Sequence, residues 1–136
     1  MAATIKLEIV TPEARIFSED VDMVTLTGID GQMGILPQHM PLMTQLVAGE
    51  VVARKDGQNI ILAVGDGFVQ VTGEKVAILT DMAIKADDID EARAEQAQRN
   101  AEARLAQKLS DEDAASVQAA LMHATTQIKV KRQHRK

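Results

Sequence analysis

The distribution of glycine and proline is the feature that most constrains the fold of this chain of 136 residues. All eight glycines and all three prolines lie at or before Gly73, and none follows it. Because glycine and proline mark turns, this pattern predicts many short strands in the first part and helices in the second. We expect one domain of residues 1–85 and a second domain of residues 86–136.

Alternating and β-branched runs predict the strands. Residues 5–9 alternate apolar and charged side chains, which is the period of a half-buried strand. Residues 55–58 (Lys-Asp-Gly-Gln) and 72–74 (Thr-Gly-Glu) are typical of hairpin turns. Short strands at close spacing indicate a sandwich or flattened barrel with an aliphatic core. Five further apolar runs lie at residues 24–26, 51–53, 60–64, 68–71 and 76–79.

The second part of the chain is rich in helix-forming residues from Asp87 onward. Asp88 with Glu91 matches a capping box, and Ser110 before three acidic residues predicts the start of a second helix. About two residues separate the predicted helices, so we expect an antiparallel hairpin. Its apolar stripes are thin, and burial contributes only about 25 cal/mol per Å², so the hairpin should be able to detach. The stripes comprise Ala97, Ala101, Leu105 and Leu109 on the first helix and Val117, Leu121, Ala124 and Ile128 on the second.

Composition excludes several kinds of chemistry. The chain has no cysteine, and its three histidines lie far apart and outside any metal-binding motif. No catalytic triad or phosphate-binding loop is present, so we expect no catalytic residue, no metal and no obligatory cofactor. Two aromatic residues and a net charge of −5 argue against nucleic acid binding.

No segment is typical of a membrane span or a signal peptide. The longest uncharged run, residues 31–49, contains glycines, prolines and glutamines, which a membrane helix does not tolerate together. Lys6 and Glu8 interrupt the first apolar stretch. We expect a soluble protein, or one that reaches a membrane only through partners.

The most specific local motif is Gly-Gln-Met-Gly-Ile-Leu-Pro-Gln-His-Met-Pro-Leu at residues 31–42. Its two prolines stiffen an extended loop. Its apolar residues have two interpretations: Ile35, Leu36 and Leu42 plug the end of the sandwich, or exposed members form an adaptable partner surface, for which methionine is suited. His39 has no second base or carboxylate at a useful spacing, so a structural role is expected.

This motif closely resembles the epsilon-subunit family of bacterial F-type ATP synthases. Three further segments match that family in order and spacing: residues 7–12 (Leu-Glu-Ile-Val-Thr-Pro), 65–71 (Gly-Asp-Gly-Phe-Val-Gln-Val) and 89–94 (Ile-Asp-Glu-Ala-Arg-Ala). The resemblance runs from about residue 4 to about residue 130. At two turn positions, Gln38 and Asp66, relatives often have glycine.

The resemblance implies a ten-stranded β-sandwich followed by an α-helical hairpin, in a non-catalytic rotor subunit of the central stalk. Such a subunit binds the gamma subunit above the membrane ring of c subunits, as a peripheral protein at the cytoplasmic face of the bacterial plasma membrane. It couples proton flow to ATP synthesis and restrains ATP hydrolysis through its hairpin. Asp30 and His39 match positions near the polar loops of the ring. Gln32 replaces an acidic residue common there, and Met40 is a further expected partner contact.

Residues 89–94 also resemble the ATP-binding motif of epsilon subunits whose hairpin folds down onto the sandwich. Arg93 is suited to hold phosphate, and Asp90 to accept from a nucleotide amine or to orient Arg93. An ordinary surface pair, three residues apart on a helix, is the alternative interpretation. An ATP-sensing module is the alternative function, but we expect ATP to be at most a weak regulatory ligand. Strong binders in the family have arginines where the nearest residues here are Asn100, His123 and Gln127.

The end of the chain is basic, with five positive charges in its last eight residues. From the residues alone, such an end is compatible with solvation or with attraction to nucleic acid or anionic lipid. The resemblance implies instead an acidic loop of the catalytic beta subunit as the target. The residues expected to contact it are Lys129, Lys131, Arg132 and Arg135.

Overall fold

The computed structural model describes residues 3–134 and contains ten strands followed by two helices. This confirms the predicted sandwich and helical hairpin. The last strand ends at Lys85, and one 3₁₀ turn, Ala86–Asp88, leads into the helices. The strands are β1 Ile5–Val10, β2 Arg15–Val21, β3 Met23–Gly28, β4 Gly31–Ile35, β5 Leu42–Leu46, β6 Gly49–Lys55, β7 Gln58–Val64, β8 Gly67–Val71, β9 Lys75–Thr80 and β10 Ala83–Lys85, and the helices are α1 Glu91–Leu105 and α2 Asp111–Gln133.

The strands form one continuous sheet that folds over into two layers. β10, β7, β6, β3 and β4 make up the first layer, and β5, β8, β9, β1 and β2 make up the second. A single residue pair, Gly28 with Leu46, joins β3 to β5 where the sheet passes between the layers. β1 and β9 run parallel, with Lys6 opposite Lys75, whereas the other strand pairs described are antiparallel.

The core lies between the two layers and is almost entirely aliphatic. Period-two alternation turns every second side chain inward, so that Ile5, Leu7 and Ile9 of β1 are buried while Lys6 is exposed. Among the described residues, no buried side-chain nitrogen or oxygen lacks a hydrogen-bond partner. The buried polar side chains that are described, such as Thr11 and Thr80, are therefore satisfied by hydrogen bonds.

The two predicted hairpin turns are confirmed. Asp56 and Gly57 join β6 to β7 with φ values of 52° and 78°, the left-handed pair that a tight two-residue hairpin requires. Gln38 also has a positive φ, 65°, a conformation that favours glycine. Asp66 has a different role: its Oδ1 accepts a hydrogen bond of 2.8 Å from the backbone N–H of Ala48.

The predicted capping box at Asp88 and Glu91 is wrong. Asp88 lies in the 3₁₀ turn, and Asp90 caps α1 by accepting a hydrogen bond of 3.2 Å from the backbone N–H of Arg93. The physical reason is Ile89, which is buried in an extended conformation and so delays the helix by two residues. Ser110 caps α2 through the N–H of Asp113, as predicted.

The antiparallel hairpin is confirmed, but the link of about two residues is wrong. α1 ends at Leu105, and residues 106–110 separate it from α2. The link is longer because Ala106 ends α1 as its C-cap and Ser110 begins α2 as its N-cap, which leaves three residues between the two caps. The thin stripe is confirmed in part, because Ala101, Val117, Ala124 and Ile128 are buried, but Ala97 is exposed and Leu109 lies beyond the end of α1.

The hairpin packs on the outer face of the first layer, through α2 against β7 and β6. The buried residues of this junction form one small cluster, which lies apart from the main core. Lys131 adds a hydrogen bond of 3.0 Å from its Nζ to the carbonyl oxygen of Ala86. The cluster comprises Ala63, Ala86, Ile89 and Val130, with Ile61 and Ile84 packed against it.

Candidate functional site

The outer face of the second layer exposes three large apolar side chains on neighbouring strands. Met43 of β5, Phe68 of β8 and Leu79 of β9 are 68%, 56% and 52% exposed. Phe68 lies opposite Leu79 in the β8–β9 pairing, and Met43 lies opposite Gln70. We call Met43, Phe68 and Leu79 the apolar face. α2 covers the outer face of the opposite layer, so the two faces of the sandwich differ in kind.

The loop of residues 36–41 continues the apolar face at one end of the sandwich. Leu36 and Met40 are 56% and 79% exposed, whereas Ile35 is buried and Leu42 packs against the core. Ile35 and Leu42 therefore close the end of the sandwich, whereas Leu36 and Met40 are exposed and available to a partner. His39 holds the loop through a contact of 2.8 Å between its Nδ1 and the carbonyl oxygen of Met40.

Asp30 and Gln32 lie at the opposite end of β4 from this loop. The backbone N–H of Gln38 donates to Gly73, at the β8–β9 turn, whereas that of Ile29 donates to Gln45, at the far end of β5. A strand of five residues spans about 16 Å. Asp30 and Gln32 are both exposed, but the structure does not bring them together with His39 and Met40.

Asp90 and Arg93 lie in a cleft of about 390 Å³ between the start of α1 and the middle of α2. His123 and Gln127 line the same cleft, so four of the residues singled out for ATP meet here. Asn100 is not among them; its Oδ1 accepts from Gln96 of the same helix. With Asp88 also on the wall, the cleft carries two carboxylates beside one guanidinium.

Two of the basic residues near the end of the chain contact the folded hairpin and the sandwich. Arg132 donates to Glu91 at 3.1 Å and to Glu95 at 2.7 Å, and these carboxylates raise the pKa of its guanidinium. Lys131 is held by Ala86, whereas Lys129 lines a second cleft under α2 and is exposed. Arg135 lies outside the described residues.

Sequence reasoning missed two contacts between α2 and the sandwich. His123 Nε2 lies 3.1 Å from Asp81 Oδ2, and His134 Nε2 lies 2.6 Å from Glu50 Oε2. No local pattern links residues so distant in the chain. Phe68 and Leu79 were also missed as surface residues, although strict alternation between buried Val69 and its neighbours marks Phe68 as outward-facing.

Within residues 3–134, no three histidine, aspartate or glutamate side chains are grouped closely enough to hold a metal ion. No helix among these residues is long and apolar enough to cross a membrane.

Matches to known families cover nearly the whole chain. Residues 4–86 match the beta-sandwich domain of the ATP synthase Delta/Epsilon chain, and residues 87–132 match its long alpha-helix domain. The chain therefore belongs to the Delta/Epsilon family of ATP synthase subunits. Among its relatives, the ATP synthase epsilon chain of Herpetosiphon aurantiacus is 45% identical over 126 residues, which cover 93% of each chain. The family resemblance of the sequence is thus confirmed.

Solved structures show the same fold. One chain of the mitochondrial ATP synthase of Euglena gracilis, in an OSCP/F1/c-ring structure, matches with a TM-score of 0.71 and 24% identity, covering 91% of this chain and 79% of that one. One chain of the central stalk and c-ring of the Tetrahymena thermophila mitochondrial enzyme matches with a TM-score of 0.61 and 13% identity, covering 98% of each.

Proposed function

We propose that this chain is a non-catalytic central-stalk subunit of a bacterial F-type ATP synthase. It couples proton flow through the c ring to ATP synthesis and restrains ATP hydrolysis through its hairpin. It acts as a peripheral subunit at the cytoplasmic face of the plasma membrane. The observation that carries the proposal is the contrast between the two outer faces of the sandwich: one is covered by the chain's own α2, and the other exposes the apolar face.

The apolar face is the surface we assign to the gamma subunit. Large exposed apolar patches mark partner interfaces, because their burial is favourable at about 25 cal/mol per Å². His39 and Met40 extend this surface at the loop end, where methionine can adapt to a partner. The resemblance implies a position near the ring for His39, but because His39 lies at the other end of β4 from Asp30, we assign it to gamma instead. A rotor subunit needs one attachment that persists through rotation, and an apolar face suits that role.

Co-purification with gamma tests this assignment. Phe68→Ser combined with Leu79→Ser should abolish a stoichiometric complex while leaving the melting temperature nearly unchanged, because both side chains are exposed. Gln70→Ser, on the exposed face of the same strand, is the matched control and should bind normally. Normal binding by the double variant would refute this assignment.

Asp30 and Gln32 are the residues we assign to the c ring. They lie at the end of β4 that is distant from His39 and Met40, so ring and gamma can be bound at the same time. Because the chain has no cysteine, single cysteines can be introduced cleanly. Labelled with a thiol-reactive photo-cross-linker and irradiated, Asp30→Cys should cross-link to the polar loops of the c subunits, and Met40→Cys should cross-link to gamma. The reverse pattern would contradict the assignment.

The hairpin is the regulatory element in this proposal. Its junction with the sandwich is a small cluster of mostly alanine, isoleucine and valine side chains, so little apolar burial opposes opening. Opening would free Lys131 from Ala86, and separation of the two helices would free Arg132 from α1. Together with Lys129 and Arg135, these cations could then bind an acidic loop of the beta subunit and block rotation.

Steady-state ATP hydrolysis by the assembled catalytic sector tests the regulatory role. Deletion from Asp87 onward should raise the rate and leave assembly intact. Replacing Lys129, Lys131, Arg132 and Arg135 by glutamine should reproduce part of this increase, and high salt should do the same, because exposed charges are screened beyond about 8–10 Å. Equal rates for the full-length and truncated chains would refute inhibition by the hairpin.

ATP sensing is the second candidate function, and the cleft that holds Asp90 and Arg93 favours it. Its volume of about 390 Å³ lies within the range of small-molecule sites. However, Asp88 and Asp90 oppose a triphosphate, so we expect weak binding at most. Calorimetry of ATP binding to the isolated chain tests this function. Binding with a micromolar dissociation constant, lost in Arg93→Ala but kept in the control Arg99→Ala, would establish ATP sensing.

A further inference from the structure

Two histidine–carboxylate contacts fasten α2 to the sandwich. His123 meets Asp81 in the β9–β10 turn at 3.1 Å, and His134 meets Glu50 of β6 at 2.6 Å. The two histidines are separated by about 16 Å along the helix, given a rise of 1.5 Å per residue. The helix is therefore held at two well-separated points, on either side of the small apolar cluster that contains Val130.

Gly65 lies directly beside the contact between His123 and Asp81. A side chain at Gly65 would overlap with Asp81 Oδ1 and would come within 3.4 Å of His123 Nε2. The N–H of Gly65 also donates to the carbonyl oxygen of Met82 at 2.8 Å, which ties the end of β7 to the turn that carries Asp81. Glycine at this position thus leaves the space that the pair occupies.

Several charged groups line the cleft that contains the first histidine. The cleft that His123 lines contains Asp88, Asp90 and Arg93, in addition to its partner Asp81. Of these groups, Asp81 is the one in direct contact with the imidazole, and Asp88, Asp90 and Arg93 lie along the same cleft.

Equal numbers of positive and negative side chains lie near the second histidine, His134. His134 lines a pocket with Lys85, Asp87 and Lys131, and its direct partner is Glu50. Two cations and two carboxylates leave the direct contact with Glu50 as the main electrostatic interaction.

We propose that these two contacts form a proton-dependent latch, which holds the hairpin on the sandwich in mild acid and loosens as the pH rises. The inference rests on the proposed function, because it regulates the same opening of the hairpin. Histidine changes its charge between about pH 5 and 8, and the protonated ring attracts a carboxylate that the neutral ring does not. Each exposed pair should change the docked-to-open ratio by about 1.5- to 5-fold. Acidification would thus hold the hairpin in the position that permits hydrolysis.

Fluorescence energy transfer in the isolated full-length chain tests the latch. Glu74→Cys on the β8–β9 turn and Gln118→Cys on the exposed side of α2 provide two unique labelling sites. The docked fraction of the labelled protein should fall between pH 6 and pH 8. His123→Gln combined with His134→Gln should remove this dependence, because glutamine keeps a polar side chain without the titration. Asp20→Asn, which removes an exposed carboxylate from β2 in the other layer, is the control and should keep it.

Gly65→Ala provides an independent variant that changes no titratable group. It should displace the Asp81 carboxylate and weaken the pH dependence as His123→Gln does. A docked fraction that is equal at pH 6 and pH 8, or a pH response that survives in the double histidine variant, would overturn the latch.

The latch and the proposed function fail in different measurements. A pH-dependent docked fraction, with no change in hydrolysis on hairpin deletion, would support the latch and refute the inhibitory role. A pH-independent docked fraction, with hydrolysis raised by deletion, would refute the latch alone.

Discussion

Replacing Gln38 by glycine should stabilise the protein. Gln38 has a φ of 65°, and the left-handed conformation costs a non-glycine residue about 1–2 kcal/mol. Its side chain is exposed, so little packing is lost, and its backbone N–H, which donates to Gly73 at 2.9 Å, is retained. The greater backbone entropy of glycine in the unfolded chain offsets about 0.5–1 kcal/mol. The expected net gain in the free energy of unfolding is about 0.5–1 kcal/mol.

The matched control is Asp56→Gly, at the other non-glycine residue with positive φ among those described. Aspartate tolerates the left-handed region better than glutamine does, so the gain at Asp56 should be smaller. Urea unfolding measures both, and in a thermal melt Gln38→Gly should raise the midpoint by about 2–4 °C. A Gln38→Gly variant no more stable than the parent would show that this turn is unstrained.

Three further changes have defined outcomes. Lys75 lies 2.9 Å from the Glu8 carboxylate, and its hydrogen bond holds the pKa of Glu8 below its ordinary value. The stability that this shift contributes is present above about pH 4.3 and is lost as the pH falls. Lys75→Gln should therefore flatten the dependence of urea unfolding on pH between 3 and 6. A side chain at Gly67 would overlap with the backbone carbonyl of Leu79. Gly67→Ala should therefore lower the free energy of unfolding by about 1–3 kcal/mol. An unchanged urea midpoint would contradict the close approach of β8 and β9. Ser110→Ala removes the cap of α2 and should cost about 0.5–2 kcal/mol, seen as faster hydrogen exchange in its first turn; unchanged exchange there would rule out the cap.

Features set by neighbouring residues could be predicted from the sequence. The turn at Asp56 and Gly57 follows from local backbone preference, and the alternation in β1 follows from a buried and an exposed face of the strand. The Ser110 cap depends on one side chain and a backbone N–H three residues away. In each case the determining interaction spans only a few residues.

Features set by distant packing could not be predicted. Both Asp88 and Asp90 are suitable caps, and only the burial of Ile89 against the sandwich selects the later one. The contact of His123 with Asp81 depends on how α2 lies across the first layer. The separation of Asp30 from Met40 depends on the path of β4. Each of these requires the folded sandwich as a template.

The parallel pairing of β1 with β9 has a consequence for co-translational folding. Lys6 must find Lys75, so the first strand has no partner on that side until about 70 further residues have been made. At about 5–20 residues per second, this delay lasts about 4–14 s. During this time β1 and β2 can pair only with each other, and their Lys6, Glu8 and Glu19 side chains discourage association with other nascent chains. The charged side chains on these strands thus reduce aggregation while the sheet is incomplete, and they lie on its surface once it has folded.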